Sequence, residues 1–576
     1  MPATPSYPGV YLEETPSVAH TITGVATSIT AFMGRAISGL TNEPITINSF
    51  GDFERQFGGL GVDYPMSYAV RDFYLNGGSQ AIIVRLYKTP DTAIDAIAKC
   101  TVGGLVIAAK SPGEWGKKLR ACIDVEVSDE MRERLGLTST DALLNLTIRL
   151  SNRTERFLNV TLTDNARRLD RVLKAESSLV DFSWPSSPSA TTKIIAATKA
   201  YKEFLAAPTD ATKIAAYETT KLDLDDEATK AEKVLAAALT ANPLVPAHIQ
   251  AAKDAIFNAE IEMKGSNGKS LDQNAYKGNE DDKTGLHALD KADLFNLLCI
   301  PPDIHGGDTE SAVYQIAMSY CQESRAMLMV DAPADWSANK DTSVNKAKNG
   351  LAALGLSGDA SRNAALYFPR VLQSDPLRNG QIDTFVPCGI IAGVMTRTDT
   401  NHGVWKAPAG LDATVNGIQG LDVNLNDAEN GMLNLLGINC LRTFSANGCV
   451  VWGARTLRGA DELADEWKYI PVRRTALFIE ESLYRGTQWA VFELNNEPLW
   501  AQIRLNIGAF MHNLFRQGAF QGSTPREAYF VKCDKETTLQ NDINLGIVNI
   551  IVGFAPLKPA EFFVIKLQQM AGQIEV

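Results

Sequence analysis

The chain has 576 residues, 45% of them apolar, and carries 67 acidic against 55 basic side chains for a net charge of −12. That length holds about three or four domains at roughly 150 residues each, and the composition excludes a disordered or collagen-like chain. The acidic balance argues against a broad phosphate-binding surface, so direct binding of nucleic acid is not expected.

The first segment, Tyr7, Pro8, Gly9, Val10, Tyr11, Leu12 and Glu13, is flanked by Pro2, Pro5 and Pro16. Proline disfavours helix, so this arm reads as extended, and an extended arm is most easily ordered by joining a sheet edge, including one in another copy of the chain. Polymer formation is therefore the first functional expectation, ahead of catalysis. Thr23–Gly34 reads as a small-residue strand, Asp63–Leu75 as a helix stopped at Asn76-Gly77-Gly78, and Ala81–Leu86 as a buried strand. Helix, glycine stop and apolar run open an α/β layer. A second such unit follows later: strands at Leu297–Pro302, Ala326–Asp331 and Ala364–Arg370, with a helix at Ser311–Arg325. Alternating strands and helices predict a mostly parallel sheet.

Between the two units the chain turns rich in Ala, Lys and Thr. Helices are predicted at Thr191–Ala206, Thr212–Thr219, Glu227–Ala241 and Pro246–Lys264, followed by a polar loop over Gly265–Asp282. This reads as a solvent-facing helical insertion in an α/β frame. Near the end, Glu497-Pro498 opens a long helix whose stripe Leu499, Ile503, Ile507, Phe510 and Leu514 spans about 80°. Arg504, His512 and Arg516 are expected on the opposite side, either as a solvated face or as a docking face for an acidic partner. Two strand-like runs, Gly546–Phe554 and Glu561–Leu567, close the sequence.

Chemical motifs are sparse. Gly265-Ser266-Asn267-Gly268-Lys269-Ser270 has Met263 where a phosphate loop needs glycine, and Gly58-Gly59-Leu60-Gly61 lacks dinucleotide spacing. His305 near Asp303 and Asp308 reads as a structural loop, the six histidines show no metal-ligand spacing, and no serine sits in a nucleophile elbow. The glycosylation patterns at Asn145, Asn152 and Asn159 lie in strand-like sequence. No catalytic, cofactor-binding or metal residue is assigned, and neither enzyme activity nor a cofactor is expected. The eight cysteines, Cys100, Cys122, Cys299, Cys321, Cys388, Cys440, Cys449 and Cys533, form no CxxC pair and are expected as buried free thiols of a reducing cytoplasm. The start lacks a signal-peptide pattern and no apolar run reaches the ~18 residues of a bilayer span, so a soluble chain without membrane insertion is expected.

Twelve segments, in order, resemble the tail sheath proteins of contractile phage tails and phage-tail-like injection systems. They are Ser6–Glu14, Thr23–Ala36, Leu75–Leu86, Ser111–Arg120, Asp293–Asp303, His402–Gly410, Gly437–Phe444, Val450–Leu457, Phe478–Leu483, Asn495–Arg504, Lys532–Thr538 and Gly553–Leu567. The resemblance implies an α/β, subtilisin-like sheath domain without known protease activity and an α+β C-terminal domain. With it, the domains are expected as an N-terminal arm (1–22), a first core part (23–182), a surface-exposed helical insertion (183–284), a second core part (285–440) and a C-terminal domain (441–576). Interchain strand exchange is implied for Tyr7–Glu13, for Asn549, Ile550, Ile551 and Val552, and for Phe562, Phe563, Val564 and Ile565. The helix bearing Arg504, His512 and Arg516 is implied to face an inner tube.

The implied function is a structural subunit that polymerises around the tube and contracts. The implied partners are itself as a helical homo-polymer of stacked rings, the inner tail tube protein, and baseplate and tail terminator or cap proteins. Assembly is implied in the bacterial host cytoplasm and action in a virion tail or injection particle. A passive surface filament and a subtilisin-like hydrolase stand as alternatives.

Overall fold

Six of the short apolar runs lie side by side and parallel at the centre of an eight-stranded sheet in the computed structural model, which describes residues 20–91, 96–151, 153–182, 188–240, 246–562 and 564. Thr30–Gly34 (β1), Pro44–Ile47 (β2) and Ala81–Arg85 (β3) enter this sheet first. The chain then leaves to build a separate unit from Lys99–Val102 (β4), Leu105–Ala109 (β5), Leu119–Asp124 (β6), Leu143–Leu150 (β7), Arg153–Thr161 (β8) and Val180–Phe182 (β9). It returns with Leu297–Cys299 (β10), Met327–Asp331 (β11) and Ala364–Phe368 (β12). A small antiparallel sheet of Val371–Asp375 (β13), Gln381–Phe385 (β14) and Gly420–Leu421 (β15) follows, then Ile438–Phe444 (β16) and Gly448–Val451 (β17). Strand order in the large sheet is β17-β16-β12-β11-β10-β1-β3-β2, with antiparallel β17 and β2 at the edges.

Parallel strands buried on both faces need continuous apolar sequence, which is what the runs supply. The period-two alternation divides them between two cores. Ala31, Met33, Leu328 and Val330 face one core with the helix Ser311–Glu323. Phe32, Met327 and Met329 face the other with Pro65–Leu75 (α1) and the long helix Cys388–His402. Gly389 and Gly393 let that helix press on α1: a Cβ there would lie 2.0 Å from the Ala69 carbonyl oxygen and 2.5 Å from that of Phe73.

The helical insertion forms much as its periodicity predicts: Pro188–Ala206 (α2), Ala211–Leu222 (α3), Glu227–Thr240 (α4) and Pro246–Glu262 (α5). The boundary at 182/183 does not hold as a physical division. Ala190, Ile194, Tyr217 and Ala228 share one core with the strands β4–β9, and Arg120 of β6 binds Glu232 of α4 at 2.6 Å and Glu260 of α5 at 2.5 Å. The unit inserted into the sheet is therefore strands plus helices. The 440/441 boundary cuts β16, which reaches Phe444 inside the large sheet. Two other expectations shorten. Only Thr30–Gly34 of Thr23–Gly34 is strand, because residues before it are held by side chains, Val25 N–H by Ser482 and Ile29 N–H by Asn296. Gln273–Lys277, within the expected loop, is a helical turn capped by Asp272.

After the sheet come Ile470–Gly486 (here α8, with Ser311–Glu323 as α6 and Cys388–His402 as α7) and Glu497–Arg516 (α9). Tyr529–Lys532 (β18) and Ile551–Phe554 (β19) form a two-stranded antiparallel sheet against them. All eight cysteines are free thiols. No described helix is long and apolar enough to cross a membrane.

Candidate functional site

The C-terminal module is organised by α9. Asn496 accepts the Leu499 N–H as its cap and Pro498 occupies the first turn. The predicted stripe is the buried face: Leu499, Ile503, Ile507, Phe510 and Leu514 pack with Trp500 and Met511, and the sheet's inner side chains Val531, Val552 and Phe554 lie on top. The outer face of the hairpin keeps Phe530 and Ile551 in solvent.

One backbone bond sets the phase of the ladder. Ala555 N–H donates to the Ala528 carbonyl at 2.8 Å, continuing the register Tyr529↔Phe554, Phe530↔Gly553 and Lys532↔Ile551. In an antiparallel pair the bonding residues alternate. Ile551 and Gly553 thus face β18, and the N–H and C=O groups of Val552 and Phe554 point to the opposite edge. Among the described residues no strand lies on that edge. Of the residues expected there, Asn549 and Ile550 precede the strand, and the Asn549 N–H is taken by the Thr538 hydroxyl at 3.1 Å. Phe562 and Val564, the described members of the segment Phe562–Ile565, are exposed and lie in no strand. Tyr7, Pro8, Gly9, Val10, Tyr11, Leu12, Glu13, Phe563 and Ile565 lie outside the described residues.

The charged face of α9 needs correction. Arg504 lies only a quarter-turn from Ile503, and its guanidinium is engaged by Glu497 at 2.7 Å and by the Cys533 carbonyl. His512 and Arg516 are exposed, as expected. On the turns before them the outward face presents Ala501, Leu505 and Ala509, with Leu505 68% exposed. The preceding loop adds Val491, Leu494 and a fully exposed Phe492 held at φ 70°. This surface is apolar with a basic end rather than a basic stripe.

The root of the N-terminal segment is fixed to this module. His20 stacks on Trp489 with ring centroids 4.2 Å apart, and Ile22 is buried against α8. Thr27 joins a buried ion pair: its hydroxyl donates to Asp399, whose carboxylate takes both terminal nitrogens of Arg474, and Arg474 also donates to the Thr27 carbonyl. The sequence marks neither residue, since the pair spans 75 positions.

At the carboxyl end of the parallel strands the expected loop reading fits. Asp303 holds Arg35, Asp308 caps Ala334 N–H and binds Arg370, and His305 pairs with Asp383 at 2.9 Å. Among the described residues no cluster of His, Cys, Asp or Glu suits a metal ion. The cavity there is about 10 Å³, room for a water. Asp331, buried at the end of β11, accepts the Cys388 N–H at 2.9 Å, and burial pushes its carboxyl up to about 7.

Residues 276–457 match the model of the phage tail sheath protein central domain, and residues 463–569 match that of the phage tail sheath C-terminal domain, together half of the chain. The chain belongs to the phage tail sheath family. The junction between the two matches falls beyond β17, consistent with β16 belonging to the large sheet. A tail sheath protein of Vibrio phage KVP40 is 30% identical over 127 residues, which span 22% of this sheath chain and 18% of that relative. The contracted helical sheath of the anti-feeding prophage superposes with a TM-score of 0.52 at 22% identity, covering 98% of this chain and 100% of the other. The contracted sheath of an extracellular contractile injection system, PVC, gives 0.52 at 20% identity over 98% of each chain. A sheath tail protein from Listeria innocua gives 0.54 at 13% identity, covering 93% and 96%. These likenesses establish a mixed α/β sheath fold across nearly the whole chain.

Proposed function

We propose that this sheath protein is the structural subunit of a contractile tail: it polymerises around an inner tube in a metastable extended state and shortens to drive the tube through a target envelope. The observation that carries this reading is the β18–β19 hairpin. Its inner face is packed on α9, and it keeps an edge with outward N–H and C=O groups that no described strand covers. Such an edge recruits extended segments, here Tyr7–Glu13 and the stretch from Phe562 of neighbouring copies. Head-to-tail contacts of this kind propagate into helical lattices that do not close.

Each strand bond contributes about 1 kcal/mol net, so several make a link that survives rigid-body rearrangement of the subunits. The energy of contraction is then stored in the lattice, and no nucleotide site is required. The parallel frame plays the part of the subtilisin-like sheath domain, without a protease role. The outward face of α9, with Leu505, His512 and Arg516, faces the inner tube, and end proteins of baseplate and cap type bound the polymer. Assembly takes place in the bacterial host cytoplasm. Electron microscopy of the polymer before and after triggering tests this: the account expects two lengths per subunit. A single length under all conditions indicates a passive filament instead.

A further inference from the structure

We propose that Arg455 and Glu561 form a clamp that fixes the root of the C-terminal extension to the subunit's own large sheet, so that a pull on the extension is carried into the α/β domain and not into the β18–β19 hairpin. This rests on the reading that copies exchange extended segments. After β19 the chain crosses from the C-terminal module back to the central domain, and Glu561 is where it docks. Arg455 Nε donates to one Glu561 oxygen at 2.9 Å and Nη2 to the other at 2.6 Å. Nη1 is held by the carbonyls of Asn434 and Gly459 and by Asp461. The Tyr469 hydroxyl also donates to Glu561, at 3.3 Å.

The arginine side chain is 0% exposed and the glutamate 15%. A bidentate, planar pairing of this kind fixes direction as well as distance. Behind it a second polar contact leads inward. Asn439 of β16 grips the Arg455 backbone, accepting its N–H at 2.7 Å and donating to its carbonyl at 2.7 Å, and donates also to Leu366 of β12 at 3.1 Å. Glu561 is thus tied through Arg455 and Asn439 to the parallel strands.

A segment that merely covered surface would bury its apolar side chains. This one buries its carboxylate and leaves Phe562 and Val564 72% and 82% exposed. Taking a guanidinium out of water is costly, and the arrangement spends that cost on the one residue that sets where the extension departs.

The test uses full-length chain carrying Glu561→Ala or the milder Glu561→Gln. A nitroxide on Phe562→Cys, an exposed position next to the clamp, is expected to tumble at least threefold faster in free subunits carrying Glu561→Ala, with hydrogen exchange of β12 and β16 unchanged, and the critical concentration for polymer growth is expected to rise at least tenfold for Glu561→Ala and less for Glu561→Gln. Unchanged nitroxide mobility would overturn the clamp. So would fast tumbling with normal polymers, or exchange rising across the whole large sheet. Failure of the strand-exchange reading itself is seen separately, as normal polymers from a chain blocked at the β19 edge.

Discussion

Val552→Pro is the sharpest perturbation of the β19 edge. The phase set by Ala555 N–H to Ala528 C=O turns the Val552 N–H away from β18, so proline there removes an outward donor and leaves the hairpin's own ladder intact. Val552 and Phe554 offer two donors and two acceptors to an incoming strand, a link of about 4 kcal/mol at roughly 1 kcal/mol net per bond. Proline deletes one bond and strands the incoming carbonyl, together about 2–3 kcal/mol per junction. At 1.4 kcal/mol per tenfold that is roughly a 30- to 140-fold rise in critical concentration. Val552 also packs on the module core, so Val552→Ala, which loses the packing and keeps the donor, is the control. Sedimentation of polymer against free subunit gives the critical concentration, and thermal melting of the free subunit checks the fold. Equal critical concentrations for Val552→Pro and Val552→Ala would refute the edge as a strand acceptor.

Deleting Met1–Pro16 is expected to leave a folded, soluble chain, since the root from His20 keeps its stacking on Trp489 and Ile22 its burial; long cylinders are lost, as seen by electron microscopy. Phe492→Asp with Leu505→Glu is expected to weaken tube attachment at least tenfold in co-sedimentation with assembled tube, and Arg516→Glu by a smaller, salt-dependent factor. Arg504→Glu, in contrast, should lower the melting temperature of the free subunit, because Arg504 ties Glu497 to the Cys533 carbonyl. Asp331→Asn tests the buried carboxyl. With its folded pKa raised from 3.8 to about 7, the native state binds more protons than the unfolded state between those values, so this group's contribution to stability falls as pH rises through that window. The variant is expected to gain up to about 4 kcal/mol over wild type at pH 8 and nothing below pH 3.8, measured by urea denaturation of free subunits.

Legibility followed from how local the signal was. Ala81–Leu86 and Ala326–Asp331 are readable because parallel strands buried on both faces are apolar throughout. The insertion helices α2–α5 are readable because Ala-rich sequence at helical spacing has few other uses. The strands β4–β9 went unseen as a unit: they are short or half-polar, such as Lys99–Val102 and Arg153–Thr161, and what joins them to α2–α5 is a shared core. Arg504 reads from the sequence as one of the exposed charges, yet a residue on the flank of a stripe is within reach of whatever covers the stripe, here the loop at Cys533. The clamps were invisible, because Arg455 meets Glu561 across 106 positions and Arg474 meets Asp399 across 75.

Cryo-electron microscopy of the assembled polymer, at a resolution that traces the main chain between subunits, tests the central claim most directly. The account predicts density for Tyr7–Glu13 or the segment after Glu561 of one copy running along the Val552–Phe554 edge of another, in both the long and the short state of the lattice. An edge left bare, or filled by the same molecule's own terminus, would contradict it.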